Sequence, residues 1–116
     1  MNFNDYQKKA LKTDSYFKGA EVVAVTDLAF LNKVLGLVSE SGEVADKIKK
    51  IMRNKDGKMD KADKTEIIKE LGDVLWYLTL IASYLGEDLA TVAQGNIEKL
   101  YDRQARGKIN STGDNR

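Results

Sequence analysis

Two short acidic motifs contain the residues best suited to chemistry. Glu40 and Glu43 lie three residues apart in GLVSESGEVADKIKK, and Glu70 and Asp73 have the same spacing in IIKELGDVLWYL. Residues three apart share one face of an α-helix. Carboxylates on a buried face need a positive partner, and in a chain without histidine or cysteine oxygen ligands suit a hard divalent cation. The pattern therefore predicts metal-dependent phosphate chemistry.

The composition indicates one small all-α domain. The chain has 116 residues and no proline, and its longer segments are rich in residues that favour helices. A formal charge of +1, from 19 basic and 18 acidic side chains, gives no reason to expect a nucleic-acid partner. The absence of cysteine and histidine excludes disulfides, thiolate nucleophiles and Ser-His or Cys-His triads.

The apolar runs are too short for a membrane protein. The segment MNFNDYQKKALK at the N-terminus has no apolar signal core, and the longest apolar run, residues 74–82, contains Thr79. Such a run cannot cross a bilayer. We therefore expect a cytoplasmic protein that is a single domain over residues 1–116, with a polar C-terminal tail over residues 107–116.

Four helices must position the acidic motifs. We expect a short helix over residues 4–13, and then a polar stretch from Asp14 to Glu21. A long helix over residues 27–53 ends in a charged loop that turns at Gly57. The third helix covers residues 63–85 and stops at Gly86, and the fourth runs from about residue 88 to Gly107.

The second helix leaves two interpretations open. At about 100° per residue, Glu40 lies at the rim of a broad apolar arc and Glu43 lies further round. Lys47 falls between the two carboxylates. This pair alone is compatible with a metal site and equally with a solvated helix flank.

The third helix favours the metal interpretation. Ile81, Tyr77 and Val74 are the residues closest in angle to Glu70, within about 40°, so Glu70 points toward the apolar face, and Asp73 lies at its margin. An unpaired carboxylate there would cost several kcal/mol. The alternative is an ion pair with a lysine or arginine of another helix, but a metal would account for all four acids together.

Glycines and basic residues supply further indications. Gly42 and Gly72 each precede an acid in mid-helix, where glycine costs about 0.5–1 kcal/mol relative to alanine, and this predicts a close approach of two helices.

On the fourth helix, Asn96, Lys99 and Arg103 fall within about 60° of one another. A lysine and an arginine so placed suit phosphate oxygens, although basic residues late in a helix also complement its dipole.

Aromatic residues follow the second acidic motif. Trp76, Tyr77 and Tyr84 lie at helical spacing, which is typical of core residues. One of them, with Tyr77 as the candidate, could instead stack on a nucleobase.

These motifs resemble the MazG-like all-α nucleoside triphosphate pyrophosphohydrolases, whose pattern is E-E-x-x-E followed by E-x-x-D. The similar segments are GLVSESGEVADKIKK, KELGDVLWYL, NIEKLYDRQARG and the closing GDNR, as in a bacterial and phage branch of that family. The resemblance covers residues 31–116. Ser39 replaces the first glutamate of the pattern, so four acidic ligands remain.

The resemblance implies hydrolysis of (deoxy)nucleoside triphosphates between the α- and β-phosphates. It implies that Glu40, Glu43, Glu70 and Asp73 hold Mg²⁺, with Mn²⁺ as a substitute, and that Asn96, Lys99 and Arg103 contact the phosphates. Metal-activated water is the expected nucleophile, with Glu40 or Glu43 as the base that accepts its proton.

The third helix is apolar nearly all round, which indicates burial on several sides. We therefore expect a helical bundle whose four-helix core is completed by homo-oligomerisation, and the family forms dimers and tetramers. The rival hypothesis is a non-catalytic helical interaction module whose acidic residues form salt bridges at a subunit interface.

Overall fold

The computed structural model of the chain describes residues 1–19 and 24–116, and these residues form four α-helices. They are α1 (Phe3–Leu11), α2 (Leu28–Lys55), α3 (Lys61–Tyr84) and α4 (Leu89–Ala105). The all-α prediction is confirmed, and each helix begins and ends within two residues of its predicted bounds. Of the polar stretch expected from Asp14 to Glu21, residues 20 and 21 lie outside the described residues.

A pair of antiparallel helices, α2 and α3, forms the main body of the fold. The Asp27 side chain accepts a hydrogen bond from the backbone N–H of Phe30 at 2.9 Å and so caps α2. At the other end, Asp56 adopts the left-handed conformation with φ of 53°, and Gly57 follows with φ of 77°. Two consecutive residues at positive φ reverse the chain, which glycine allows without steric cost.

One lysine fixes this turn to the start of α3. Asp60 and Asp63 form a capping box at the N-terminus of α3. The Nζ atom of Lys55 lies 2.9 Å from an oxygen of Asp60 and 2.8 Å from an oxygen of Asp63. Because Lys55 is the last residue of α2, these contacts join the two helix ends and set the register of the hairpin.

The first helix caps the fourth. The Oε1 atom of Gln7 accepts a hydrogen bond from the backbone N–H of Leu89 at 2.8 Å, and Asn4 accepts one from Ala90 at 3.2 Å. Asp88, the residue before α4, makes no side-chain cap of its own. The free N–H groups at a helix start need such partners, so side chains of α1 determine where α4 begins. Of the described helices, α4 packs against α1 and α3 but not against α2.

Gly36 of α2 lies directly against the ring of Tyr77 on α3. A Cβ atom at this position would overlap ring atoms of Tyr77. The close approach predicted at Gly42 and Gly72 was wrong within the chain, because a Cβ atom at either position would meet nothing within 4 Å. The pairing of α2 with α3 therefore depends on the Tyr77 ring over Gly36, and not on Gly42 or Gly72.

We expect Gly36→Ala to lower the free energy of unfolding by about 1–3 kcal/mol, because the added methyl group must displace the Tyr77 ring. Urea denaturation of the purified protein measures this change. Gly95→Ala is the matched control, since that position in α4 is open and alanine favours a helix over glycine by about 1 kcal/mol. Equal stability changes in the two variants would contradict the overlap at Gly36.

None of the helices in the described part of the chain combines the length and the hydropathy needed to cross a membrane. This finding agrees with the short apolar runs of the sequence.

Candidate metal centre

Three carboxylates from the two acidic motifs converge between α2 and α3. Glu40 of α2 and Glu70 and Asp73 of α3 each have a carboxylate oxygen within 4.8 Å of those of the other two. Glu40 and Glu70 are partly buried, and Asp73 is exposed. We call these three residues the acid cluster. Each motif presents its acids on the helix face predicted from the sequence, and the turn at Asp56 and Gly57 places the two motifs side by side.

Glu43 lies outside the set of three but close to it. It is exposed, and its charge is one of the causes that raise the pKa of Glu40. The larger causes of that shift are the partial burial of Glu40, then the charge of Asp73 and that of Glu70. The direction is the expected one, since desolvation and neighbouring negative charges both disfavour an ionised carboxylate. The cluster therefore holds more negative charge than its surroundings neutralise.

Lys47 supplies the single ammonium group found in contact with the acid cluster among the described residues. Its Nζ atom lies 3.2 Å from Oε1 of Glu70, and the two side chains are 29% and 19% exposed. Lys47 is on α2 and Glu70 on α3, so the pair crosses the helix boundary. The sequence alternative of an ion pair between Glu70 and a lysine of another helix is thus present in the structure, but the described residues offer Glu40 and Asp73 no such partner.

The donor set suits a hard divalent cation. The cluster offers only carboxylate oxygens, and Mg²⁺ is usually bound by a few carboxylates together with water and substrate phosphates. With one lysine against three acids, a charge deficit remains that a divalent ion would neutralise. The residues present therefore fit magnesium, with Glu40, Glu70 and Asp73 as the ligands and Glu43 beside them.

Two residues near the cluster were missed as candidates in the sequence. Burial and the charge of Asp73 raise the pKa of Tyr6, so the hydroxyl group of this α1 residue lies in the field of the cluster. Lys47 was recognised only as a residue between Glu40 and Glu43 on the helix surface. That angular position was the available signal for Lys47, whereas nothing in the local sequence of α1 indicates where Tyr6 packs.

Two of the three residues predicted on α4 as phosphate contacts, Lys99 and Arg103, bind the C-terminal tail. Lys99 Nζ lies 2.7 Å from Oδ1 of Asp114, and Nη2 of Arg103 lies 3.1 Å from the same oxygen. Arg103 is 4% exposed, while Asn96 is exposed. Arg103 also donates to the backbone carbonyl of Asp114. These contacts give Lys99 and Arg103 an acidic partner within the chain, and their assignment to substrate phosphates stays a prediction.

Tyr77 lies at the helix pairing beside the cluster. Its ring covers Gly36 and meets the ring of Trp76 edge-on, with 4.9 Å between the centroids. Trp76 in turn donates a hydrogen bond from Nε1 to the hydroxyl group of Thr13 at 2.8 Å. Tyr77 therefore has a clear packing role, and stacking on a nucleobase stays a prediction.

An open cleft continues from the acid cluster along the two helices. Its volume is about 210 Å³, and we call it the interhelix cleft. It is lined by Lys47, Lys50, Ile51, Asn54, Lys55, Asp63 and Glu66. Lys47 thus belongs both to the wall of this cleft and to the contacts of the acid cluster.

Comparison with known proteins gives the family. The chain matches the model of the MazG nucleotide pyrophosphohydrolase domain over residues 29–107. It is similar to the "Gene 37 protein" of Mycobacterium phage L5, with 40% identity over 116 residues that cover 100% of both chains. No solved structure matches it. The family match spans α2, α3 and α4 with both acidic motifs, and the chain belongs to the MazG nucleotide pyrophosphohydrolase family.

Proposed function

We propose that the chain hydrolyses nucleoside triphosphates to the monophosphate and pyrophosphate in a magnesium-dependent reaction, as one domain over its whole length. The observation that carries this proposal is the convergence of Glu40, Glu70 and Asp73 within 4.8 Å in a chain of the MazG family. A triphosphate and three carboxylates repel each other, so the two can meet only when cations lie between them.

The roles of the acidic residues follow from their surroundings. Glu70 and Asp73 lie one turn apart on α3 and are suited to hold the metal. Bound magnesium would neutralise phosphate charge and activate the attacking water. Glu40 is the first candidate for accepting the proton of that water, because it lies on the facing helix with a carboxylate oxygen within 4.8 Å of those of Glu70 and Asp73. Glu43, at the exposed edge, is the second candidate for that role.

A product assay tests the reaction. We expect the purified protein to release pyrophosphate and a nucleoside monophosphate from at least one member of a panel of ribo- and deoxynucleoside triphosphates in the presence of Mg²⁺. Excess EDTA should abolish the release, and Mn²⁺ should restore it. Release of inorganic phosphate instead would identify a different cleavage position, and no release from any nucleotide would contradict the proposed activity.

The rival hypothesis of an interaction module makes an opposite prediction for metal binding. The Lys47–Glu70 contact favours it in part, because a salt bridge is one way to neutralise a buried acid. An interaction module should gain no thermal stability from Mg²⁺ or Mn²⁺. A metal site should gain several degrees, since a ligand that binds only the folded state stabilises it.

We also propose that a second copy of the chain completes the four-helix core. The radius of gyration is 17.1 Å, against about 13 Å for a compact domain of this length. Both long helices carry exposed apolar side chains at the spacing of a coiled-coil seam. These are Leu28, Leu35, Val38 and Met52 on α2, and Ile68, Leu71, Leu75 and Leu78 on α3.

We expect Leu71→Glu to dissociate the oligomer, because Leu71, 50% exposed in the single chain, would then place a charge in an apolar seam. Sedimentation equilibrium or light scattering measures the mass. Ile109→Glu is the control, since Ile109 is 40% exposed but lies in the C-terminal tail. A monomeric parent protein would overturn the proposed assembly.

A further inference from the structure

Lys47 contacts the acid cluster, but the proposed roles of the four acids give this lysine no function. Its ammonium group contacts Glu70 at 3.2 Å, inside the group of carboxylates that is suited to a divalent cation. A lysine and a metal ion at the same carboxylate oxygen repel each other, because both are positively charged. A metal that takes the Oε1 atom of Glu70 would therefore compete with Lys47 for this oxygen.

The interhelix cleft offers Lys47 a second position. Its side chain already lines this cleft, together with Lys50 and Asn54, and it is partly exposed. Lysine has four rotatable carbon–carbon bonds and a compact charge, so it can turn between two nearby partners and binds phosphate oxygens as a point charge. The volume of about 210 Å³ is enough for the terminal phosphates of a nucleotide.

The other lysines of the cleft have fixed partners. Lys50 Nζ lies 2.7 Å from Oδ2 of Asp46 on its own helix, and Lys55 is held by Asp60 and Asp63 at the turn. Lys47 is the cleft lysine whose partner is one of the candidate metal ligands. Metal binding would thus free this particular ammonium group beside the substrate.

We propose that Lys47 neutralises the acid cluster in the metal-free chain, leaves Glu70 when a divalent cation binds, and then contacts the β- and γ-phosphates in the interhelix cleft. This inference rests on the proposed function, since it requires both a metal and a triphosphate at the cluster. It assigns to Lys47 two successive roles, as the counter-ion that competes with the metal and as a ligand of the part of the substrate that leaves as pyrophosphate.

Titration of the metal-free protein with Mn²⁺ by calorimetry tests the first role. We expect Lys47→Met to bind Mn²⁺ about threefold more tightly than the parent, or better, because the competing ion pair is gone. Lys49→Met is the matched control, since the Lys49 side chain is 71% exposed and its ion pair within the described part of the chain is with Asp46 of its own helix. Affinity equal to that of the control, or weaker than that of the parent, would overturn the competition.

Inhibition by inorganic pyrophosphate at saturating Mn²⁺ tests the second role. We expect Lys47→Met to raise the inhibition constant about tenfold, the equivalent of one charged hydrogen bond, and Lys47→Arg to restore much of the loss. Unchanged inhibition in Lys47→Met would overturn the phosphate contact.

The outcomes separate this inference from the proposed function. A parent protein that binds Mn²⁺ and hydrolyses nucleotides, with Lys47→Met indistinguishable from Lys49→Met, would refute the roles of Lys47 alone. A parent protein that binds no Mn²⁺ would refute both. Thermal melting of the metal-free variants confirms that each is folded before it is titrated.

Discussion

Glu70→Gln should reduce kcat/KM for nucleotide hydrolysis by a factor on the order of a hundred or more, and should abolish thermal stabilisation by Mg²⁺. The substitution keeps the size of the side chain and one oxygen, but it removes the negative charge that a divalent cation requires. Loss of a transition-state contribution of several kcal/mol corresponds to at least this factor. Glu70 is the preferred target because its side chain is only 19% exposed, so solvent cannot replace it easily.

The measurements are initial rates of pyrophosphate release and melting curves with and without Mg²⁺ at a concentration far above its dissociation constant, since stabilisation grows with that ratio. Glu98→Gln provides the control, since Glu98 lies on α4, outside the acid cluster, and accepts a hydrogen bond from Gln94 one turn away at 2.8 Å. The control should behave as the parent does in both assays. A Glu70→Gln protein that keeps parental activity and parental stabilisation by Mg²⁺ would remove Glu70 from the metal site.

The helices were predictable because their signals are local. Asp27 and Asp60 cap the two long helices, and Gly57 and Gly86 follow their ends at positive φ. Each of these signals acts within a few residues of the chain. The start of α4 could be placed near Asp88 from the sequence. The groups that cap this helix could not be predicted, because they are the side chains of Gln7 and Asn4 on α1.

The acid cluster was predictable in part for a similar reason. The phase of a single helix indicates which carboxylates share a face, and three of the four predicted ligands converge. The register between α2 and α3 is a different matter, because it depends on the turn at Lys55 and on the Tyr77 ring over Gly36. For this reason the sequence left open only an ion pair of Glu70 with an unspecified lysine or arginine of another helix, and the close approach at Gly42 and Gly72 was wrongly predicted within the chain.

A second network, at the end of the helix pair away from the α2–α3 turn, lies deeper than the acid cluster. Lys33 of α2 and Asp14, which follows α1, have their Nζ and Oδ1 atoms 3.2 Å apart, and their side chains are 3% and 1% exposed. The Tyr84 hydroxyl group donates to Oδ2 of Asp14 at 2.9 Å, and the backbone N–H of Tyr16 donates to Oδ1 at 3.0 Å. Burial and the Asp14 carboxylate raise the pKa of Tyr84, so this hydroxyl group stays a donor.

Asp14→Ala should lower the free energy of unfolding by about 3–5 kcal/mol, because it leaves the Lys33 ammonium group buried without a counter-charge. The rings of Tyr16 and Trp76, whose centroids lie 5.0 and 5.6 Å from Nζ, offset only part of that loss, since such contacts contribute about 0.5–2 kcal/mol. Against a total stability of about 5–15 kcal/mol for a small domain, this is a severe effect. Urea denaturation at constant protein concentration measures it.

The double variant Asp14→Leu with Lys33→Met distinguishes the cost of an unpaired charge from the loss of a favourable pair. If the unpaired ammonium group is the cause, removing both charges should recover most of the stability, because a buried ion pair can often be replaced by apolar side chains of similar volume. Asp102→Ala should change stability little, since its pair with Arg106 is exposed to solvent. A loss below about 1 kcal/mol in Asp14→Ala would mean that water reaches Lys33, in contradiction to its burial in this network.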